Sequence, residues 1–319
     1  MSRTAENGTS TSVGVAIITH CAKHHLPRCL PPLLNSPLRP RVLVVNSSSG
    51  DGTVELAQEL GAETLVIPRP EFNHGSTRER ARKHLGTEFV GMVTPDAYAA
   101  DEDVLGKLHA PLAAGEAAVS YARQIPHDGA TFWESFPRDY NYPEDSQLRC
   151  LEDKDRYGIY TIFCSNAFAM YRNAALDEIG GFRPVLTHED QFATAELLKR
   201  GHSIAYVAEA VVQHSHTYRL SQEFRRYFDT GYARKIHAEL TNLTGSDQSR
   251  GRSFTLALLK TVAKQRPLHL PYALLQTGAK WMGYRLGAVS RNAPNWLKKA
   301  CSGQDYYWTS TAYREGRSS

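Results

Sequence analysis

The residues Val44-Val45-Asn46-Ser47-Ser48-Ser49-Gly50-Asp51-Gly52-Thr53 leave an apolar strand, turn on small polar side chains and enter a helix. Short β-branched runs repeat on either side of this stretch, at residues 13–19, 64–67 and 89–93, and helix-like segments that end at glycine lie between them. Such runs are typical of strands buried on both faces. Their alternation with helices predicts a parallel sheet flanked by helices.

The chain has 319 residues, of which 41% are hydrophobic and 22% charged, which suits one large domain or two small ones. No apolar run approaches the roughly 18 residues of a membrane span, and residues 1–12 lack the basic and apolar segments of an export signal. The five cysteines form no Cys-x-x-Cys pair, which disfavours a zinc ribbon and favours a reducing compartment. We therefore expect a cytoplasmic protein.

The charge of the chain is unevenly distributed. Residues 248–304 contain ten Lys and Arg and no Asp or Glu, although the whole chain carries only +4. This basic part includes two amphipathic helix-like segments, which favour contact with an anionic membrane surface. A homodimer interface is the alternative use of their apolar stripes. Nucleic acid is disfavoured because no recognised binding motif accompanies the charge.

Polar residues follow the predicted strands at the edge where such sheets bind ligands. Asp96 ends an apolar strand, where a carboxylate needs a cation or water. His188-Glu189-Asp190 begins a helix, whose positive end would keep the carboxylates ionised and able to accept a proton. His214-Ser215-His216 follows a strand, and alternation points both imidazoles to one side, as metal ligation requires. Each feature alone is also explained by an ordinary turn or helix cap.

Two loops complete the candidate site. Residues 70–78, Pro-Glu-Phe-Asn-His-Gly-Ser-Thr-Arg, run into a helix predicted at 77–85, whose N-terminal amides and Arg78 suit a phosphate or a sugar. Residues 132–160 form a long aromatic loop whose rings suit an acceptor sugar, although core packing explains any single ring equally well. Further along, we predict strands at 204–207 and 211–213 and a helix at 220–240.

In this order, the segments resemble the glycosyltransferase family 2 enzymes with a GT-A fold, and among them the bacterial rhamnosyltransferases that use dTDP-L-rhamnose. The segment Glu71-Phe72-Asn73-His74-Gly75-Ser76-Thr77-Arg78 is similar to the family's Phe-Asn-His-Gly-Gly-Thr-Arg loop. The segment His214-Ser215-His216-Thr217-Tyr218 resembles its His-Ser-His segment. Residues 141–146, Ser165-Asn166 and Tyr306-Tyr307-Trp308 also look like family features, so the likeness covers almost the whole chain.

The resemblance implies a Rossmann-like GT-A domain at 13–245 with a mainly parallel sheet, divided into a nucleotide-binding half (13–117) and an acceptor-binding half (118–245), and a helical basic region at 246–319. It implies an inverting transfer of L-rhamnose from dTDP-β-L-rhamnose to a saccharide or lipid-linked saccharide, in cell-surface polysaccharide assembly at the inner face of the cell membrane. It also implies Mg²⁺ or Mn²⁺, since hard oxygen ligands favour these ions over zinc.

The resemblance also assigns roles to single residues. Asp190, with Glu189, matches the pair that supplies the catalytic base. The implied donor-binding residues are Thr19, His20, Asn46, Asp51, Asn73, His74, Arg78, Thr94, Pro95 and Asp96. The implied acceptor-binding residues are Trp133, Tyr160 and Asn166, and the implied metal ligands are Asp96, His216 and His214.

Three residues depart from the family pattern. Asn46 stands where the wider family usually has Asp, Pro95 where rhamnosyltransferases commonly have Gln, and Asp96-Ala97-Tyr98 offers one carboxylate rather than two. The alternatives are a family 2 transferase that uses a UDP- or other nucleotide sugar, and a non-catalytic sugar-binding relative. A nucleotidyltransferase is disfavoured because residues 19–23, Thr-His-Cys-Ala-Lys, are not a Gly-rich loop.

Overall fold

The computed structural model describes residues 12–244 and 247–315, and the strands in these residues form a single sheet of nine. The strands are β1 (Val13–Thr19), β2 (Arg41–Asn46), β3 (Glu63–Val66), β4 (Phe89–Val93), β5 (Tyr98–Ala99), β6 (Val119–Ile125), β7 (Gln147–Arg149), β8 (Phe168–Arg172) and β9 (Ile204–Gln213). Their order in the sheet is β3-β2-β1-β4-β8-β6-β9-β5, and β7 also pairs with β9.

The first half of the sheet is parallel, as the alternating strand and helix signals predict. β1 pairs with β2 and β4, and β2 pairs with β3, all in parallel. Every residue of β1 and β4 is buried. Successive side chains of β1 enter two different core clusters, with Ala16 and Ile18 in one and Val15 and Ile17 in the other. Burial on both faces explains the unbroken apolar runs.

The second half of the sheet is mixed rather than mainly parallel. β8 is antiparallel to both of its neighbours, β4 and β6, whereas β6 and β9 are parallel. β4, β6 and β9 consequently run in the same direction, and the carboxyl ends of β1, β2, β4 and β9 lie at one edge of the sheet. β9 is a single strand where two were predicted, because a register shift at Ala122/Arg123 of β6 lets β9 continue from Val207 to Val211.

Helices cover the sheet and form the C-terminal region. The described residues form α1 (Leu26–Leu34), α2 (Thr53–Glu59), α3 (His74–Leu85), α4 (Val104–Ala113), α5 (Phe132–Asn141), α6 (Lys154–Tyr157), α7 (Asn173–Glu178), α8 (Glu189–Lys199), α9 (Leu220–Ile236), α10 (Ala238–Thr241), α11 (Asp247–Gln265), α12 (Leu270–Val289), α13 (Asn295–Cys301) and α14 (Thr311–Glu315). Gly86 ends α3 at φ 60°, as its place after the apolar pattern predicts. α9 ends at Ile236, short of the predicted residue 240.

Two helix starts differ from the sequence predictions. α3 begins at His74 rather than residue 77, because the Asn73 side chain accepts hydrogen bonds from the first turn and caps it. α5 occupies the start of the predicted aromatic loop, and both the backbone N–H and the hydroxyl of Thr131 donate to the Glu134 carboxylate there. The Thr-x-x-Glu spacing is itself a signal for a helix start, so the loop assignment overlooked information in the sequence.

The C-terminal region packs on the rest of the chain through α9 and α12, which approach backbone to backbone. A Cβ atom at Gly283 or Gly287 would collide with the carbonyl oxygen of Phe224 or Phe228, so only glycine allows this distance. The predicted domain boundary at 245/246 lies outside the described residues. In the described part of the chain, no helix is long and apolar enough to cross a membrane.

The segment after α13 is held against α9 by Asp229. Its carboxylate accepts hydrogen bonds from Ser302 Oγ at 2.6 Å and from the Gly303 N–H at 2.8 Å. Trp308 is buried, with its ring 4.8 Å from that of Tyr232. These anchors hold the C-terminal segment on the body of the protein.

Replacing Asp229 by asparagine should change how stability depends on pH. Burial raises the pKa of Asp229 to about 7, although hydrogen bonds from Ser302 and Gly303 oppose this shift. Because an unfolded Asp titrates near 3.8, the folded state holds the extra proton and the wild type loses stability as the pH rises between these values. We expect Asp229→Asn to gain about 2 kcal/mol relative to wild type between pH 5.5 and 7.5, measured by urea denaturation. A difference that does not change with pH would contradict this.

Candidate active site

The edge formed by the carboxyl ends of β4 and β9 brings Asp96, His214 and His216 together. Asp96 follows β4 through Thr94 and Pro95, and the two histidines follow β9 directly. His214 Nε2 and His216 Nε2 lie 3.6 Å and 3.5 Å from Asp96 Oδ2, and one ligand atom from each residue lies within 4.8 Å of the other two. We call these residues the Asp-His-His cluster.

The protonation states of the cluster favour a bound cation. Burial opposes ionisation of Asp96, but the adjacent His214, His216 and Thr94 side chains outweigh it and hold the pKa of Asp96 well below the usual range. Burial lowers the pKa of His214, and it lowers that of His216 to about 3. A carboxylate and two neutral imidazoles are the protonation states in which these side chains bind metals.

Gln124 fixes the orientation of His214. The buried Gln124 side chain donates from Nε2 to Ser165 Oγ at 2.9 Å, so its Oε1 faces His214 Nδ1 at 2.8 Å. Because this distance is shorter than the 3.4 Å between Nδ1 and Arg138 Nη2, we assign the proton of His214 to Nδ1. The lone pair of Nε2 then points toward Asp96, and a cation between these atoms would relieve their mutual repulsion. No pattern in the sequence singles out Gln124.

The first turn of α8 carries two carboxylates with different environments. Glu189 Oε1 lies 2.7 Å from Arg78 Nη1, and both side chains are less than 10% exposed. Burial opposes ionisation of Glu189, but the Arg78 charge outweighs it and lowers the pKa. Asn166 Nδ2, at 3.3 Å, also donates to Glu189 Oε1. Glu189 is therefore a fixed buried anion.

Asp190 is the titratable member of the pair. Burial and the neighbouring Glu189 charge raise the pKa of Asp190 to about 7, although the backbone N–H groups of Asn166 and Gln191 donate to it at 3.1 and 2.8 Å. A carboxyl group that gains and loses a proton near neutral pH suits general base catalysis.

One short segment connects the two parts of the site. Ser165 contacts Gln124, which holds His214, and the next residue, Asn166, contacts both Glu189 and Asp190. The Thr94 N–H donates to the Ala167 carbonyl at 3.1 Å, which ties the same segment to the end of β4. The cluster and the carboxylate pair are thus held by one continuous set of contacts.

At the N-terminus of α3, two of the N–H groups that the sequence analysis proposed for a phosphate already have a partner. The N–H groups of Gly75 and Ser76 donate to Asn73 Oδ1, and Arg78 is paired with Glu189. Asn73 Nδ2 donates to the Val185 carbonyl at 2.8 Å, and a Cβ at Gly75 would collide with the Arg183 carbonyl oxygen. The Asn-His-Gly sequence therefore ties α3 to the segment before α8. His74 packs on Phe72 with ring centroids 5.0 Å apart, and burial lowers its pKa to about 4.

The turn after β2 is organised by its own polar residues. Buried Asn46 donates to Thr19 Oγ1 at 3.2 Å and to Ser49 Oγ at 2.8 Å. Partial burial opposes ionisation of Asp51, but hydrogen bonds from Thr53, Lys23 and Ser49 hold its pKa well below the usual range. These residues shape the edge where a nucleotide would lie.

Arg69 is a residue of this edge that the sequence analysis missed. Its Nη1 donates to Ser47 Oγ at 3.0 Å, and the His20 ring nitrogen Nδ1 lies 3.2 Å from the same hydroxyl. The Arg69 guanidinium also lies 5.1 Å from the ring of Phe72 and 5.0 Å from that of Tyr306. The C-terminal segment therefore contacts the same edge, which no local sequence signal indicated.

The three residues predicted to bind the acceptor lie in different surroundings. Asn166 contacts both carboxylates. The Trp133 ring packs 4.8 Å from Tyr272 of α12. Tyr160 donates to Asn141 Oδ1 at 2.7 Å and lies beneath the Arg250 guanidinium. Asn166 therefore lies at the carboxylate pair, whereas the rings of Trp133 and Tyr160 pack against the C-terminal helices.

A family model and two bacterial proteins are similar to this chain in sequence. The sequence model described as "Glycosyl transferase family 2" matches residues 14–180. The chain is 34% identical to the O-antigen chain rhamnosyltransferase RfbN of Salmonella typhimurium and 33% identical to the O-antigen chain rhamnosyltransferase WbaN of Salmonella anatum, in each case over 87% of this chain and 89% of the relative.

Solved structures share the fold at low sequence identity. The mannosyltransferase PcManGT from Pyrobaculum calidifontis in complex with GDP-Man and Mn²⁺ has a TM-score of 0.61 at 17% identity, over 88% of this chain and 87% of that one. S. aureus TarS 1–349 in complex with UDP-GlcNAc has a TM-score of 0.54 at 16% identity, over 96% and 92% of the two chains.

Proposed function

The chain belongs to glycosyltransferase family 2, and we propose that it transfers L-rhamnose, with inversion, from dTDP-β-L-rhamnose to a hydroxyl of a saccharide acceptor in O-antigen or related cell-surface polysaccharide assembly. The observation that carries the sugar assignment is the 34% identity to an O-antigen rhamnosyltransferase over almost the whole chain. We assign nucleotide binding to residues 13–117, acceptor binding to 118–245 and an accessory role to 246–319.

Asp190 is the base in this proposal. Its ionised carboxylate takes the proton of the acceptor hydroxyl while that oxygen bonds to C1 of rhamnose and the bond from C1 to the diphosphate oxygen breaks. The products are the rhamnoside, dTDP and protonated Asp190, which then releases its proton to water. A placed base typically contributes about 10²- to 10⁴-fold to the rate. The pKa near 7 supports this role, and it also argues against a non-catalytic relative.

The Asp-His-His cluster would hold a divalent cation beside the departing diphosphate. Such a cation, when bound, supplies positive charge that stabilises the negative charge on the leaving group. Two imidazoles and one carboxylate favour Mn²⁺ over Mg²⁺, which prefers oxygen ligands alone. Of the two ions named from the sequence, we therefore propose Mn²⁺ as the first candidate, an ion that is also present in the mannosyltransferase of similar fold.

Removing one ligand of the cluster should abolish Mn²⁺ binding. We expect no binding by Asp96→Ala, and about 10- to 100-fold weaker binding by Gln124→Leu, because Gln124 orients His214 without being a ligand. Electron paramagnetic resonance of free Mn²⁺ measures both without any turnover. His84→Gln replaces an exposed histidine of α3 and should bind Mn²⁺ like the wild type. Unchanged affinity in Asp96→Ala would place the cation elsewhere.

A panel of nucleotide sugars tests the donor, because slow hydrolysis of a donor needs no known acceptor. Purified protein with Mn²⁺ should release dTDP from dTDP-L-rhamnose faster than UDP or GDP from their sugars. EDTA and Asp96→Ala should each stop the release. Faster turnover of a UDP-sugar would be consistent with the family and with Asp190 as the base, but it would exclude rhamnose as the transferred sugar. Absence of turnover and of nucleotide binding would support a non-catalytic relative.

The last part of the proposal concerns the acceptor and where the enzyme meets it. We assign it to a saccharide, free or carried on a lipid, and we place the enzyme at the inner face of the cell membrane. Asn166 is the first candidate among the proposed acceptor-binding residues, because it contacts the base. The rings of Trp133 and Tyr160 would contribute only where their exposed edges reach the sugar.

A further inference from the structure

The helix α12 has its small residues on the inside and its large apolar residues on the outside. The buried residues of α12 include Ala273, Ala279, Gly283 and Gly287, of which the two glycines pack directly on α9 and Ala273 packs with Leu258 and Val262 of α11. The opposite side carries Leu274, Leu275, Trp281, Met282 and Val289, which are between 51% and 75% exposed. A surface helix of a globular protein normally has the reverse arrangement.

These five apolar side chains form one stripe, which we call the α12 face. Leu274 and Trp281, Leu275 and Met282, and Met282 and Val289 are each seven residues, or about two helical turns, apart, which places the five on one side of the helix. From Leu274 to Val289 the stripe is about 22 Å long at the rise of an α-helix. Leu268 before the helix and Trp296 after it are also exposed, at 93% and 69%. Contiguous apolar surface of this kind indicates an interaction site.

The charged residues of the segment 248–304, which contains the α12 face, are all positive. Residues 248–304 contain no carboxylate side chain. The exposed basic residues on α12 and in the sequence on either side of it include Lys264, Arg266, Arg285, Arg291 and Lys299. Among the side chains that the structure describes, those of residues 12–244 and 250–314, none of the five has an ion-pair partner. The Arg285 guanidinium lies 5.9 Å from the ring of Trp281, so positive charge directly borders the apolar stripe.

We propose that the α12 face lies on the surface of an anionic lipid bilayer. Apolar side chains with tryptophan, bordered by Lys and Arg, are the features with which a helix binds in the plane of a charged interface. A second copy of the chain fits less well, because a two-fold interface would bring this positive surface against itself. The proposal rests on the proposed function, because a membrane-borne acceptor would explain why the enzyme binds a bilayer. The exposed apolar residues and positive charges that support it do not depend on the reaction.

Vesicle binding tests the proposal directly. Full-length protein should sediment with vesicles of phosphatidylcholine and 30% phosphatidylglycerol and bind pure phosphatidylcholine at least tenfold more weakly. The variant Leu275→Ser/Trp281→Ser/Met282→Ser should lose at least tenfold in binding to the anionic vesicles. The variant Arg285→Gln/Arg291→Gln/Lys299→Gln should lose a similar factor and most of the salt dependence.

A matched control and a separate readout keep the outcomes distinct. Leu148→Ser removes an apolar side chain that is 52% exposed on β7, and it should bind vesicles like the wild type. Donor hydrolysis in vesicle-free solution should be the same in all four proteins, so a wrong donor assignment would not affect the vesicle result. No binding of the wild type, or equal binding by the apolar variant, would overturn the proposal. A wild-type dimer in light scattering that the apolar variant lacks would assign the face to a second copy instead.

Discussion

Asp190→Asn is expected to lower kcat by about 10²- to 10⁴-fold while leaving the donor dissociation constant within about twofold. The amide occupies the same volume and can still accept the N–H of Asn166, but it cannot take a proton from the acceptor. Stopped assays of dTDP release measure the rate, and calorimetry with dTDP measures binding. Asp139→Asn makes the same change at an exposed position of α5 and should retain full activity.

The same residue should set the pH dependence. Because the pKa of Asp190 is raised to about 7, kcat/KM should fall about tenfold per pH unit below this value as the base becomes protonated. A carboxylate with an ordinary pKa would instead give a constant rate down to about pH 5. Full activity of Asp190→Asn, or a rate that stays constant from pH 8 to 5, would move the base elsewhere, with Glu189 as the first candidate.

Arg78→Met should destabilise the protein by about 3–5 kcal/mol, because it leaves the Glu189 carboxylate buried without its partner. Urea denaturation monitored by tryptophan fluorescence measures this loss. The chain supplies a matched control on the same helix, where Arg80 pairs with Glu71 at 3.3 Å and both side chains are at least half exposed. Arg80→Met should cost less than about 1 kcal/mol.

A second variant shows whether the loss comes from the unpaired charge. Arg78→Met/Glu189→Gln removes both charges and should recover part of the stability that Arg78→Met loses. The two losses would be additive if the residues acted independently. A cost below about 1 kcal/mol for Arg78→Met would contradict the description of Glu189 as a buried anion that depends on Arg78.

The sequence predicted the parallel half of the sheet because strands buried on both faces leave a local signature, such as residues 13–19. The resemblance to glycosyltransferase family 2 also implied that Asp96 and the two histidines hold one metal, and the structure brings their ligand atoms within 4.8 Å of one another. The sequence could not predict that Arg78 pairs with Glu189, because that contact joins residues 111 positions apart and either charge could have faced solvent.

Local patterns failed where distant contacts decide the structure. The sequence pattern of β9 predicts two strands, because nothing local indicates the register shift on β6 that lets one strand continue. The sequence pattern predicts a donor-binding Arg78 but contains no local signal for its buried ion pair with Glu189. The sequence of α12 predicts a conventional amphipathic helix with its large apolar side chains buried. The close packing of Gly283 and Gly287 on α9 places these large side chains outside instead.

The configuration of the transferred sugar tests the central claim most directly. Proton NMR can follow the first anomer of rhamnose released when excess enzyme hydrolyses dTDP-β-L-rhamnose with Mn²⁺, before mutarotation mixes the anomers. Direct attack by a hydroxyl activated by Asp190 predicts α-L-rhamnose as the first product, with Asp190→Asn releasing almost none. Initial release of β-L-rhamnose would show retention and contradict a single displacement with Asp190 as the base.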